Sequence, residues 1–259
     1  MTDFLTISEI PNQIICYPRF ARPERQRRLR ELQDLGVDGI LLKGKTKVGK
    51  SRVIGKGCVS LAVLAETQLG TAVLKIRRTD ANRPNMFHEA EMLAYANSCS
   101  IGPKLWTFSE NFLLIEFVDG TALTEWLGSI RTSELERLKL ALRSLLTQCY
   151  IIDRIHLDHG ELSNASKHVI VRRTDWSPEI IDFESASRGR HVRNLTSICQ
   201  FLFLNRENSE TLRPFNVLAS AQDLKKMLRG YRLKPAIEEF LGVLSTCNLE
   251  RQVGCSWKS

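Results

Sequence analysis

The 259-residue chain has no Cys-x-x-Cys pair. Its seven cysteines, at positions 16, 58, 99, 149, 199, 247 and 255, are odd in number and widely spaced. That pattern signals neither a disulfide framework nor a zinc site, and it predicts reduced, mostly buried thiols. No apolar run approaches the roughly eighteen residues that cross a bilayer, the longest being of the Phe112–Val118 kind. The opening Met1-Thr-Asp-Phe4 lacks the basic and then apolar stretches of a secretory leader. Internal repeats and low-complexity tracts are also missing. These absences predict a soluble, cytoplasmic protein without membrane contact.

What is present is ordinary globular composition, 43% hydrophobic and 25% charged, with a net charge of +8. The excess is local. Residues 37–78 hold Lys43, Lys45, Lys47, Lys50, Arg52, Lys56, Lys75, Arg77 and Arg78 against only Asp38 and Glu66. A basic stretch that also bears glycines suits a polyanion, either a nucleotide's phosphates or nucleic acid, and equally a solvated strand edge. A second basic run, Arg19–Arg30, carries six arginines on a segment whose Leu29, Leu32 and Leu35 recur at helical spacing. It offers RNA, a ribonucleoprotein or an acidic partner protein a contact. Glu24, Glu31 and Asp34 make a solvated helix face the simpler reading.

Along the chain, a helix over 23–35 precedes β-rich runs at Gly39–Lys43, Ser51–Ile54, Cys58–Ala65 and Thr71–Arg78. The period then changes, and Pro84 predicts the start of a helix over 84–97. Strands follow at Leu105–Phe108 and Phe112–Val118. After Asp119-Gly120 the pattern turns helical. Ser133-x-x-Glu136 reads as a capping box for a long helix with Leu135, Leu138, Leu142, Leu145 and Leu146 on one face. Two short strands, His168–Arg172 and Glu179–Asp182, precede helices near 193–205, 220–230 and 235–245. The expected fold is α+β and two-lobed: an extension over 1–36, a strand-rich lobe over 37–118 and a mostly helical lobe over 119–259.

Gly44-Lys-Thr-Lys-Val-Gly49-Lys50-Ser51 matches the phosphate-loop pattern G-x-x-x-x-G-K-[ST]. In a working phosphate loop the Lys-Ser pair opens a helix whose N-terminal amides hold the phosphates. Here Arg52-Val-Ile-Gly55-Lys-Gly57 follows, with two glycines where the first helical turns belong, and then more strands. The match is read as coincidental.

A second set of features lies in order on the element types that phosphoryl chemistry needs. Gly55-Lys-Gly57-Cys-Val-Ser60 sits between two β-runs, where a hairpin tip can lay backbone N–H groups over phosphates. Ala72-Val-Leu-Lys75 ends a strand with an isolated cation, and the next helix offers Glu89. Leu114-Ile-Glu116-Phe-Val118 runs into a linker. His156-Leu-Asp158-His159-Gly160-Glu161-Leu162 follows the long helix, and Ile180-Ile-Asp182-Phe183-Glu184 follows the small hairpin.

In this order, over about residues 37–205, the chain resembles the protein-kinase-like superfamily: A-V-L-K stands for V-A-I-K and D-F-E for D-F-G. Its compact size, H-G-E-L and I-D-F-E look most like the atypical RIO kinases and the small kinase of the KEOPS complex. The resemblance implies a protein-kinase-like fold, an antiparallel β-sheet lobe with one helix beside a small mostly helical lobe. It also implies ATP-dependent Ser/Thr protein phosphorylation with Mg²⁺. By position, Gly55 and Gly57 would cover the phosphates, and Lys75 would hold them while pairing with Glu89. Glu116 and Val118 would give backbone hydrogen bonds to adenine, and Asp182 would bind the metal.

The sequence departs from the family at Ser60, which replaces the third loop glycine, and in the catalytic loop. Matching H-G-D-L makes Glu161 the base, whereas reading His156-Leu-Asp158 as H-R-D makes it Asp158. Glu161 with Asn164 as second metal ligand is preferred, although His168 stands just before the strand, where the family expects Asn. Two other functions compete: an ATP-binding pseudokinase or slow ATPase subunit of an RNA-processing assembly, and a small-molecule kinase of choline or aminoglycoside type. The roughly 140 residues after Asp119 leave the latter little room for substrate-binding insertions.

Overall fold

A computed structural model describes residues 4–250 apart from 219 and 234, so Cys255 lies outside the described residues. The chain divides into two compact units, Met1–Phe117 and Val118–Ser259.

The first unit is built on an antiparallel sheet. Its strands are β1 (Phe4–Thr6), β2 (Val37–Leu41), β5 (Gly55–Lys56), β6 (Ser60–Thr67), β7 (Gly70–Arg77), β8 (Leu105–Phe108) and β9 (Phe112–Glu116). Their order is β1-β2-β6-β7-β9-β8, with β5 also paired to β6. Strands β3 (Thr46–Val48) and β4 (Ser51–Val53) make a separate hairpin in register Val48↔Ser51. The phosphate-loop match is therefore a hairpin tip. Gly49 sits there at φ 58°, no helix follows Ser51, and the amide cradle that such a loop requires is not formed.

Alternation along β7 buries Ala72, Leu74 and Ile76 on one face. They join a core with Leu61, Val63, Phe112 and Leu114. Residues of 4–36 belong to this same core: Ile10, Ile14, Ile15 and Leu32 are buried in it, and Leu29 and Leu35 pack against it. They come from α1 (Asn12–Ile15), α2 (Arg22–Asp34) and the chain around them. The third helix, α3 (Phe87–Asn97), starts three residues after Pro84. Asn85 Oδ1 accepts the Phe87 N–H at 3.1 Å and so satisfies the N–H of the helix's first residue.

The second unit holds a three-stranded antiparallel sheet of β10 (Gly120–Ala122), β11 (Val169–Arg172) and β12 (Pro178–Ile180). Its helices are α4 (Leu123–Ser129), α5 (Leu135–Arg154), α6 (Asn194–Cys199), α7 (Arg206–Leu212), α8 (Ala221–Leu233) and α9 (Ile237–Thr246). The expected capping box at Ser133 does not form. A 3₁₀ turn over Thr132–Glu134 precedes α5, and it is Glu134 that accepts the Arg131 N–H, at 3.1 Å. The predicted face of α5 is buried at Leu138, Leu142, Leu145 and Leu146. The expected helix over 193–205 is α6 continued by a π-helix, Gln200–Leu204. No helix among the described residues is long and apolar enough to cross a membrane. Cys16, Cys149, Cys199 and Cys247 are buried free thiols, whereas Cys58 is exposed.

Candidate active site

In the first unit, β7 lies between β6 and β9 and places Lys75 opposite Ala62 and Leu113. Lys75 points away from the face of Leu74 and Ile76. Its Nζ forms an ion pair with Oε1 of Glu89, in the first turn of α3. Both side chains are nearly buried, at 11% and 5% exposure, so the pairing offsets part of the cost of burying their charges. The hairpin β5–β6 pairs Gly55 with Ala62 and Lys56 with Leu61, and closes with Gly57 N–H donating to the Ser60 carbonyl at 2.8 Å. Arg78 Nη1 donates to the Gly57 carbonyl at 2.8 Å and ties down the tip. Glu116 ends β9, where its N–H donates to the Lys104 carbonyl and its Oε2 accepts the Lys104 N–H.

In the second unit, the loop after α5 is held by a buried polar chain. Asp153 accepts Asn194 N–H, Asn194 Nδ2 and Leu195 N–H, at 3.0, 2.7 and 3.1 Å, together with the Tyr231 hydroxyl at 2.8 Å. Burial pushes the Asp153 carboxyl above its ordinary range, and these hydrogen bonds oppose the shift. Asn194 in turn accepts the His159 N–H and donates to the Leu157 carbonyl. Asp153 and Asn194 thereby fix the loop that carries both candidate bases. Neither stands out in the sequence, because a lone Asp late in a helix and a lone Asn at a helix start read as turn chemistry.

The two candidate bases occupy different environments. Asp158 is 1% exposed and its backbone exchanges two hydrogen bonds with Ser187. Its Oδ2 lies 3.0 Å from Arg190 Nε, and Arg190 also donates to the Asp158 and Ser185 carbonyls. Gly160 adopts φ 90°, a backbone conformation that a side chain would strain, which favours glycine at this turn. Glu161 is 41% exposed, with Oε2 3.3 Å from His168 Nε2. His168 is buried, and its Nδ1 lies 3.8 Å from Asp182 Oδ2. The ring thus stands between the two carboxylates. One ligand atom each from Glu161, His168 and Asp182 lies within 4.8 Å of the others. Asp182 itself is at φ 69°, ψ 75°, a left-handed conformation costing on the order of 1–3 kcal/mol for a non-glycine residue, which collects at functional sites.

Asn164, the expected second ligand, is exposed, and its Oδ1 accepts the Ser166 hydroxyl at 2.7 Å. His168 is the member of this group that sequence reasoning did not place among the site residues. The available signal was its position immediately before β11.

No protein-family model matches the sequence, and comparison with curated proteins finds no match. Among solved structures, one of Rad53 1-466 in complex with AMP-PNP is similar, with a TM-score of 0.51 at 14% identity. The match covers 83% of this chain and 66% of that one, slightly less than two thirds of its length. At that identity the likeness shows the fold alone. The fold is α+β and protein-kinase-like, an antiparallel sheet with its helix in one unit and mostly helices in the other.

Proposed function

We propose that the protein transfers the γ-phosphoryl group of ATP to a hydroxyl, as an atypical Ser/Thr protein kinase related to the RIO and KEOPS kinases. The Lys75–Glu89 ion pair carries this reading. A buried lysine on a central strand, held by a helix acid in a kinase-like fold, is arranged to meet phosphate oxygens. Unit 1 is then the nucleotide lobe and unit 2 the catalytic lobe. Gly55 and Gly57 cover the phosphates. Gly55 has neither a positive φ nor a crowded Cβ direction, its nearest neighbour being Ala62 Cβ at 3.8 Å, so the fold itself does not demand glycine there. Glu116 offers adenine its carbonyl, because its N–H is committed to Lys104, and Val118 offers its N–H.

Glu161 accepts the proton of the attacking hydroxyl, since it is the candidate base with an exposed carboxylate. The hydroxyl oxygen bonds to the γ-phosphorus as the bond to ADP breaks. Asp182 would hold a divalent cation through its carboxylate, with His168 beside it and Asn164 a ligand only if it leaves Ser166. Mg²⁺ held there would offset charge on the transferring phosphate.

The engaged Glu161 and Asn164 favour one alternative, a nucleotide-binding pseudokinase or slow ATPase. Turnover separates the two. Glu161→Gln is expected to lower transfer about 10²- to 10⁴-fold with ATP affinity unchanged. Asp158→Asn loosens the Arg190 contact and lowers the melting temperature, while transfer per folded molecule changes little. Transfer undetectable in wild type and both variants, with ATP still bound, establishes the pseudokinase. In the same titrations Lys50→Ala shifts ATP affinity by less than about twofold, because Lys50 lies on a hairpin tip.

A further inference from the structure

We propose that the acceptor substrate is an anionic peptide, docked through acidic or phosphorylated side chains into an arginine-lined pocket of the second unit. This rests on the kinase reading above and names its substrate class. The pocket has a volume of about 640 Å³ and is lined by Asp158, Arg190, His191, Arg193, Arg229 and Arg232, with Leu233 at its edge. Among the described residues, Arg190 is the lining arginine with an ion-pair partner, Asp158. Arg193, Arg229 and Arg232 have no ion-pair partner among the described residues, and all three are exposed. Arg229 and Arg232, three residues apart on α8, share one helix face.

Converging guanidinium groups repel one another unless an anion joins them. Their planar forks bind carboxylate or phosphate oxygens in pairs, which gives position as well as attraction. Among the described residues no Phe, Tyr or Trp lines the pocket, so it lacks the stacking platforms on which single-stranded nucleic acid is held. Its concave volume suits a few side chains rather than an extended polynucleotide. Asp158 belongs to the loop that carries Glu161, so an anionic side chain seated here brings a nearby Ser or Thr hydroxyl towards the proposed base.

The test uses fluorescein-labelled serine peptides that differ only in their flanking residues: Asp/Glu, phosphoserine, or Ala. Binding is read by anisotropy at two salt concentrations, and transfer by phosphate incorporation. The anionic peptides are expected to bind at least about tenfold more tightly than the Ala peptide. That preference is lost in the double variant Arg229→Ala/Arg232→Ala and kept in Arg206→Ala, a surface arginine paired with Glu210. Comparing the Asp/Glu and phosphoserine arms identifies which anion is read. Equal binding of all peptides, or an unchanged preference in the double variant, overturns the proposal. So does a single-stranded RNA that displaces the peptide through the same arginines. Arginine-dependent peptide binding without transfer leaves the docking pocket standing while the kinase reading falls.

Discussion

Asp182→Asn is expected to reduce phosphoryl transfer about 10²- to 10³-fold, the scale seen when one group that stabilises developing charge is removed. The substitution is chosen for its backbone. Asp182 sits at φ 69°, a left-handed conformation that asparagine also tolerates, so the loss is of a carboxylate oxygen and not of the turn. Asp182→Ala would confound the two by adding strain. Melting temperature should change little in the Asn variant, and metal affinity, measured by Mn²⁺ electron paramagnetic resonance, should fall with activity. Full activity in Asp182→Asn would remove Asp182 from the site.

Replacing Arg28 by methionine is expected to cost about 3–5 kcal/mol of folding stability, because it removes the shared donor of several buried acceptors, the Ile15 and Arg77 carbonyls among them. Arg28 is fully buried. It donates to Glu24 Oε1 at 2.6 Å, to the Ile15 and Arg77 carbonyls at 2.7 Å, and to Asn111 Oδ1 at 2.9 Å. Asn111 Oδ1 also accepts from Arg77, and its own N–H and Nδ2 donate to Glu31. Two arginines and one glutamate, Glu31, thus meet on Asn111. Burial raises the Glu24 carboxyl, but the hydrogen bonds and charges of Arg28 and Arg27 together hold the group below its ordinary range. Urea denaturation of Arg28→Met beside Arg30→Met checks the claim. Arg30 is exposed, and its loss should stay within about 0.5 kcal/mol. Equal midpoints for the two variants contradict it.

That network also marks what the sequence conceals. Six arginines over Arg19–Arg30 read as a solvated face or an RNA contact, because residue type alone does not tell an arginine that snorkels to water from one that bridges a helix to a sheet. Arg28 is the bridge, and Arg27 pairs with Glu24 and Glu110. RNA contact through this helix therefore stays outside the proposed function.

Elements with a long, consistent period were legible. Helix α5 and the pair β6–β7 follow their expected patterns within a few residues, since each buries a full apolar face. Short elements such as α4, α7 and β10 were not, because a few residues carry too little period to distinguish a turn from a helix or strand. The Lys75–Glu89 pair was legible from an isolated lysine ending an apolar strand and an acid on the next helix. The place of His168 between Glu161 and Asp182 was not, because it depends on how β11 and the preceding 3₁₀ turn fold back together.

The central claim is nucleotide binding through Lys75, and isothermal titration of the intact chain with AMP-PNP and Mg²⁺ tests it most directly. One-site binding is expected in the wild type. Lys75→Ala loses it, and a parallel melt checks that the protein is still folded without the Lys75–Glu89 ion pair. No binding to the folded wild-type protein, or undiminished binding in folded Lys75→Ala, contradicts the account.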